Sequence, residues 1–264
     1  MKPFKMEPLP QRPHHPTPPI PSPAHWAAST LNFTPDSHQS QVLDSSHHRI
    51  LVNCCRQWGK STTAAIRALH HALFHPQSEI ILIAPTQRQS SELLRKVKSF
   101  STQTEVKSDG TNRFSLQFPN NSRIVALPGN RDSIRGFSRV SLLIIDEAGW
   151  VPDALYFTIR PFLAAAPNAS LLILSTPNGD SGFFYHSWTG PQPWLRIEVP
   201  ATECHRITPA FLEEERQTLT DRYFRQEYLC EFQSHNNAVF SRDRIEHFFS
   251  HNTFGPTKPF EFEL

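Results

Sequence analysis

The sequence predicts an α/β fold with a mainly parallel central sheet, helices on its flanks and an inserted hairpin. Three stretches carry that prediction. Ile50-Leu51-Val52-Asn53-Cys54-Cys55-Arg56-Gln57-Trp58-Gly59-Lys60-Ser61-Thr62-Thr63 passes from a β-branched run through a turn into helical spacing. Glu79-Ile80-Ile81-Leu82-Ile83-Ala84 is a continuous apolar run, as a strand covered on both faces must be. Ser141-Leu142-Leu143-Ile144-Ile145-Asp146-Glu147-Ala148 is another, ending in two carboxylates. Strands that alternate with helices need crossovers, and crossovers make parallel neighbours.

The elements follow in order. Met1 to Pro23 holds nine prolines, a density that opposes helix and ladder pairing, so residues 1–30 are expected to form a disordered Pro-rich arm. Thr34 or Asp36 can cap a short helix through Gln39, Val42 and Leu43. Arg49 to Asn53 is the first strand. Ala64, Ala65, Ala68, Leu69, Ala72 and Leu73 repeat at helical spacing until Pro76 stops them. Pro85-Thr86 opens a second helix over 87–100, with Leu93, Leu94, Val97 and Phe100 inward. Arg113 to Phe118, a turn at Pro119-Asn120-Asn121-Ser122, and Arg123 to Leu127 read as the hairpin. Ser170-Leu171-Leu172-Ile173-Leu174-Ser175-Thr176 is a third buried strand, before a Pro177-Asn178-Gly179 turn. A strand over 194–199 and helices over 209–219 and 221–232 complete the chain, with Tyr223, Phe224, Tyr228 and Phe232 spaced to pack on the sheet.

Composition narrows the function classes. A chain of 264 residues can bury a large core. Its formal charge of +2 puts any nucleic-acid surface in a local patch. The basic half is Arg88 to Arg139, with Arg95, Lys96, Lys98, Lys107, Arg113, Arg123, Arg131 and Arg135 between; phosphate contact and ordinary solvated charge are both open there. Four cysteines make neither a disulfide framework nor a zinc spacing. The pairs His14-His15, His47-His48 and His70-His71 are sequence neighbours that cannot share one face, and are expected at the surface. No apolar run reaches the length of a membrane span, and the N-terminus lacks the apolar core of a secretory signal.

The chemistry concentrates at strand ends. Backbone N–H groups from Gln57 through Gly59 to Thr62 can point at phosphate oxygens, Lys60 can bring charge to the β- and γ-phosphates, and the Ser61 hydroxyl can hold Mg²⁺. Cys54 stands where the usual first glycine would be, so a chance Gly-Lys-Ser at a helix start is the competing reading. Asp146 can hold Mg²⁺ through water, and Glu147 can orient and deprotonate an attacking water. Two acids merely capping the next helix is the alternative. Ser175 and Thr176 are expected beside those acids on a neighbouring strand. Gln39 precedes the loop strand, and its amide could read adenine; a solvent-facing glutamine is the alternative.

These residues resemble the ATPase domain of the large terminase subunit, the DNA-packaging motor of tailed phages. The match lies in Cys55-Arg56-Gln57-Trp58-Gly59-Lys60-Ser61-Thr62, in Ile134-Arg135-Gly136-Phe137 followed by Leu143 to Ala148, in Ser175 to Gly179 with Gly182-Phe183-Phe184-Tyr185 and Trp188, and in Phe224 to Phe232. The resemblance implies a RecA-like, ASCE-type P-loop NTPase over 31–240. It implies ATP and Mg²⁺ as ligands, with Lys60, Ser61 and Asp146 holding phosphate and metal, and Glu147 as the catalytic carboxylate. It also implies Arg56 as an arginine finger in the same loop, Thr176 coupling hydrolysis to movement, and Gln39 reading adenine. Double-stranded DNA, a small terminase subunit, a portal, a homo-oligomeric ring and the bacterial host cytoplasm are implied in turn. After Phe240 only 24 residues remain, so residues 241–264 are expected to be a stub or linker, and no nuclease activity is expected from this chain. Another RecA-like ATPase acting on nucleic acid, such as a helicase fragment, is the second reading. A prophage remnant that binds nucleotide without productive turnover is the third.

Overall fold

The computed structural model describes residues 19–128, 136–137, 139–166 and 168–234. Chain order is α1 (Pro23–Thr30), α2 (Ser37–Asp44), β1 (Arg49–Cys54), α3 (Lys60–Phe74), β2 (Glu79–Ala84), α4 (Gln87–Ser101), β3 (Gly110–Asn112), β4 (Ser115–Gln117) and β5 (Arg123–Pro128). Then come β6 (Val140–Asp146), α5 (Asp153–Ile159), β7 (Ser170–Ser175), α6 (Gly182–Thr189), β8 (Leu195–Val199), α7 (Pro209–Thr218) and α8 (Asp221–Tyr228).

The eight strands form one sheet in the order β3-β4-β5-β2-β6-β7-β1-β8. From β5 to β8 every pairing is parallel. The apolar runs explain why. Alternate residues of a strand point to opposite faces, and both faces here are covered. Ile50 and Val52, Ile80 and Leu82, Leu142 and Ile144, Leu172 and Leu174 pack into one core with α1 to α4. Leu51, Ile81, Ile83, Leu143, Ile145, Leu171 and Ile173 pack into the other, with α5 and α6. The hairpin extends the sheet: β5 pairs parallel with β2, while β4 pairs antiparallel with β5 and β3 with β4.

Three expectations are corrected. Residues 23–30, assigned to the disordered arm, are a helix. Pro23 sits in the first turn of α1, where a missing N–H costs nothing, and Asp44 accepts from the Ala24 N–H (2.8 Å) and the Ser22 hydroxyl (2.9 Å). Trp26 is buried edge-on against His70 and Phe74. His70, expected outside, is therefore inside: α3 lies between the sheet and α1, so more of its girth is buried than one amphipathic face. Tyr223 is 58% exposed, unlike Phe224 and Tyr228, because α8 is short and buries one side only. The rest of the arm (1–18) and the C-terminal stretch from 235 lie outside the described residues, as do Arg131, Ile134 and Arg135.

Candidate nucleotide site

The carboxyl ends of β1, β6 and β7 meet at one place, the position where open α/β sheets hold ligands. β1 delivers the chain into the loop Cys55 to Gly59. The Cys55 N–H donates to the Val199 carbonyl at the end of β8 (2.9 Å), and the Arg56 N–H to the Glu227 carbonyl on α8 (3.1 Å). Gly59 then turns the chain into α3 with φ +101°, a conformation that side chains with a Cβ rarely adopt. A Cβ there would also stand 3.0 Å from Gln39 Nε2. The Gly59 carbonyl accepts from Thr62 and Thr63, which leaves the N–H groups of Lys60 and Ser61 with no carbonyl behind them in the helix. Such an end favours anions.

Across the cleft, β6 ends in the two acids. Asp146 is 5% exposed and accepts from the Ser61 hydroxyl at 2.6 Å and from the Glu147 N–H at 3.1 Å. Burial pushes its pKa above the ordinary carboxylate value, against the pull of Lys60 and the Ser61 hydrogen bond. Glu147 has φ +54°, left-handed for a residue with a side chain, and this turn brings its carboxylate back to Lys60 Nζ at 3.0 Å. Burial works against the Lys60 charge, but the surrounding anions, Glu147 and Asp146 among them, raise its pKa above the usual value.

β7 lies between β1 and β6 and supplies the floor. The Ser175 hydroxyl accepts from the Gly149 N–H (2.9 Å), and the Asn178 amide donates to the Gly149 carbonyl (2.8 Å), fastening the acid-bearing turn to β7. Thr176, 2% exposed, lines the same cleft.

The cleft has a volume of about 450 Å³. Of the residues singled out from sequence, Arg56, Gln57, Gly59, Lys60, Ser61, Thr62, Glu147 and Thr176 line it, and Asp146 meets it through Ser61. Arg56 enters in a paired state: its Nε lies 2.5 Å from Glu227 Oε2, and that hydrogen bond is the main reason its pKa is raised. Gln39 is placed differently from expectation. It is fully buried in α2, its amide donates to the Trp58 carbonyl (3.0 Å), and its amide oxygen accepts from the Asp36 N–H (3.1 Å). Those bonds fasten α2 to the loop, and Gln39 is not among the residues that line the cleft.

Two cations at this cleft escaped sequence reasoning. Lys96 on α4 reaches Thr62 Oγ1 at 3.4 Å, and Arg206, beyond β8, donates to the Trp58 carbonyl at 2.7 Å. Lys96 was readable only as one of a basic run. No local pattern marks Arg206, which arrives through the tertiary fold.

A buried carboxylate is costly unless paired, and Asp146 has the Ser61 hydroxyl, the Glu147 N–H and the nearby charge of a lysine that is itself paired with Glu147. Asp146 and Ser61 therefore form a donor set of oxygens that suits a hard divalent cation such as Mg²⁺ beside a phosphate.

Comparison with known proteins identifies a family and a fold. The family model described as "Terminase large subunit, T4likevirus-type, N-terminal" matches residues 52–247. The large terminase subunit of Thermus phage G20c is 28% identical over 251 residues, covering 80% of this chain and 51% of that protein. That of Escherichia phage T5 is also 28% identical, over 232 residues, covering 81% of this chain and 52% of the relative. The chain thus spans about half the length of these curated relatives. Among solved structures, the large terminase ATPase domain of Thermus phage P74-26 superposes with a TM-score of 0.69 at 24% identity, over 80% of this chain and 99% of that one.

Proposed function

Since this chain belongs to the T4-like terminase large-subunit family, as its N-terminal part, we propose that it binds ATP with Mg²⁺ and hydrolyses it to drive double-stranded DNA into a phage prohead. The observation that supports this most is the single cleft in which a glycine-turned helix N-terminus and Lys60 face Glu147 across Ser61 and Asp146.

On this reading the N–H groups of the loop and Lys60 hold the β- and γ-phosphates. Ser61 and Asp146 hold Mg²⁺, which when bound neutralises charge building on the phosphate oxygens. A γ-phosphate competes with Glu147 for Lys60. Once Lys60 turns to phosphate, the Glu147 carboxylate is released to accept a proton from the attacking water. Arg56 contributes when its guanidinium exchanges Glu227 for the γ-phosphate, where it answers the charge of the transition state. Thr176 follows Ser175 at the tip of β7 and lines the cleft, so it passes the change at the phosphate to the turn that Ser175 and Asn178 fasten at Gly149.

DNA is the polymer moved. Exposed Arg88, Lys107 and Arg113 offer phosphate contacts from the basic half. Arg95 and Arg123 are paired with Glu92 and Glu79, and offer less. A small terminase subunit, a portal and a homo-oligomeric ring complete the working assembly, in the host cytoplasm.

The test is hydrolysis by the purified chain with Mg²⁺, with and without double-stranded DNA. Metal-dependent turnover that DNA raises supports the motor reading. Nucleotide bound but never hydrolysed, even with DNA, supports the non-productive remnant instead.

A further inference from the structure

We propose that Arg206 is the base-binding residue of this site, its guanidinium face forming the platform on which the nucleotide base stacks. The inference rests on the reading of the cleft as a nucleoside triphosphate site, and it follows from the direction in which the ligand must lie.

The sheet order around the cleft is β6-β7-β1-β8. Glu147 and Asp146 follow β6, so the terminal phosphate belongs on that side. The loop after β1 holds the middle of the ligand. The remaining phosphates, the sugar and the base therefore extend towards β8, away from the acids. Arg206 stands at that end. It follows β8 in the chain and lies beside the loop's glycine, with its Nη1 3.7 Å and Cζ 3.8 Å from the position a Gly59 Cβ would take.

The hydrogen bonds of Arg206 fit a platform better than a phosphate clamp. Nη1 donates to the Trp58 carbonyl (2.7 Å) and faces Asp36 Oδ2 (3.4 Å), while Nη2 faces Gln39 Oε1 (3.5 Å). A guanidinium donates in its own plane, so three acceptors along its edge hold the group still and leave its faces for stacking. Arg206 remains 42% exposed and lines the cleft, so there is a surface for a base to cover. Arginine faces stack on nucleobases and aromatic rings without reading their edges. Gln39, the residue expected from sequence to read adenine, is fully buried and bonded to the loop, and it does not line the cleft as Arg206 does. Recognition of the base here is by its flat face.

The experiment compares two ligands that differ only at this end. Equilibrium binding of ATP and of inorganic tripolyphosphate, each with Mg²⁺, is measured on the wild-type chain, Arg206→Ala and Arg206→Lys. Both variants should lose about tenfold in ATP affinity, about 1.4 kcal/mol, with tripolyphosphate affinity unchanged. Lysine fails to rescue because an ammonium has no planar face. An equal loss for both ligands would mean that Arg206 only supports the loop through Trp58, and overturns the proposal. So would full ATP affinity in Arg206→Lys, which would reduce the residue to a point charge. Failure of the wild-type chain to bind either ligand would instead strike at the nucleotide reading itself.

Discussion

Gly59→Ala is a sharp probe of how the loop is built. Alanine at φ +101° adopts a strained left-handed backbone, at a cost of about 1–2 kcal/mol. Its Cβ would also stand 3.0 Å from Gln39 Nε2, so the amide has to give by a few tenths of an ångström, which stretches the bond from Gln39 to the Trp58 carbonyl. That bond contributes about 1 kcal/mol; the carbonyl still accepts from Arg206, so the cost of weakening it falls on the buried Gln39 N–H. The sum is about 2–3 kcal/mol, which lowers the melting temperature by roughly 5–10 °C in a domain of this size. Far-UV circular dichroism melts of Gly59→Ala, Gln39→Ala and the double variant measure it. Because the alanine clash and the Gln39 bond are the same event, the two effects overlap by about 1 kcal/mol in the cycle. Gly136, at φ +107° with no atom of the described residues within 4 Å of its added Cβ, supplies a control for the strain. Strict additivity of the two substitutions, or Gly59→Ala melting no lower than Gly136→Ala, would refute the reasoning.

Other outcomes follow from the same contacts. Glu147→Gln should lower kcat by about 10²–10⁴-fold while nucleotide affinity stays nearly intact, since a general base acts on the water; unchanged turnover would reject the role. Arg56→Ala should lower kcat by about 10³-fold or more and destabilise the fold, because Glu227 is 8% exposed and loses its partner. Adding Glu227→Gln should recover the stability and leave turnover low, a split read by melting and steady-state kinetics. Trp26→Ala should cost about 3–5 kcal/mol, seen in a denaturant titration; a loss of a few tenths would mean α1 is not part of the core. Burial lowers the pKa of His70 to about 4 and of His71 to about 3, below an unfolded value near 6.5. The unfolded chain then binds more protons between those limits, so stability is lost as pH falls below about 6.5 and does not depend on these groups above it. Melting temperatures across pH 5–8 should show this slope, and His71→Gln should flatten it.

The sheet was legible because its strands are buried on both faces. Continuous runs such as Ile80 to Ala84 and Leu142 to Ile145 admit few readings, and the Pro76 and Pro85-Thr86 signals mark where helices stop and start. The phosphate loop and paired acids were legible because strand ends place them. What escaped has a tertiary cause. Pro23 reads as a helix breaker until it is placed at the first turn, and nothing local says that Trp26 will find His70 on α3. The Asp36–Gln39 capping box was half visible, since Asp36 was a candidate cap, but only the fold shows that the same glutamine is spent on Trp58. Arg206 lies in a loop with no pattern of its own. Its role depends on β8 running beside β1, which strand order decides and sequence spacing does not.

On the proposed reading, that strand order also lets one triphosphate bridge the whole site. β1 and β6 are separated by β7, so their axes lie about two strand spacings, roughly 9–10 Å, apart. Across that spacing Lys60 and Glu147 reach each other at 3.0 Å, so on the proposed reading a γ-phosphate enters by displacing the pair. β7 fills the gap with its own end, and it is tied to both sides: Cys54 faces the Ser175 carbonyl from the loop strand (3.8 Å), and Ser175 Oγ accepts from Gly149 on the acid side. A displacement between loop and acids therefore has to shear the tip of β7, where Thr176 stands. The coupling role proposed for Thr176 needs no special chemistry of the threonine. It needs a residue at a strand end tied to both of its neighbours, and the parallel order β6-β7-β1 puts Thr176 next to Ser175, which is so tied.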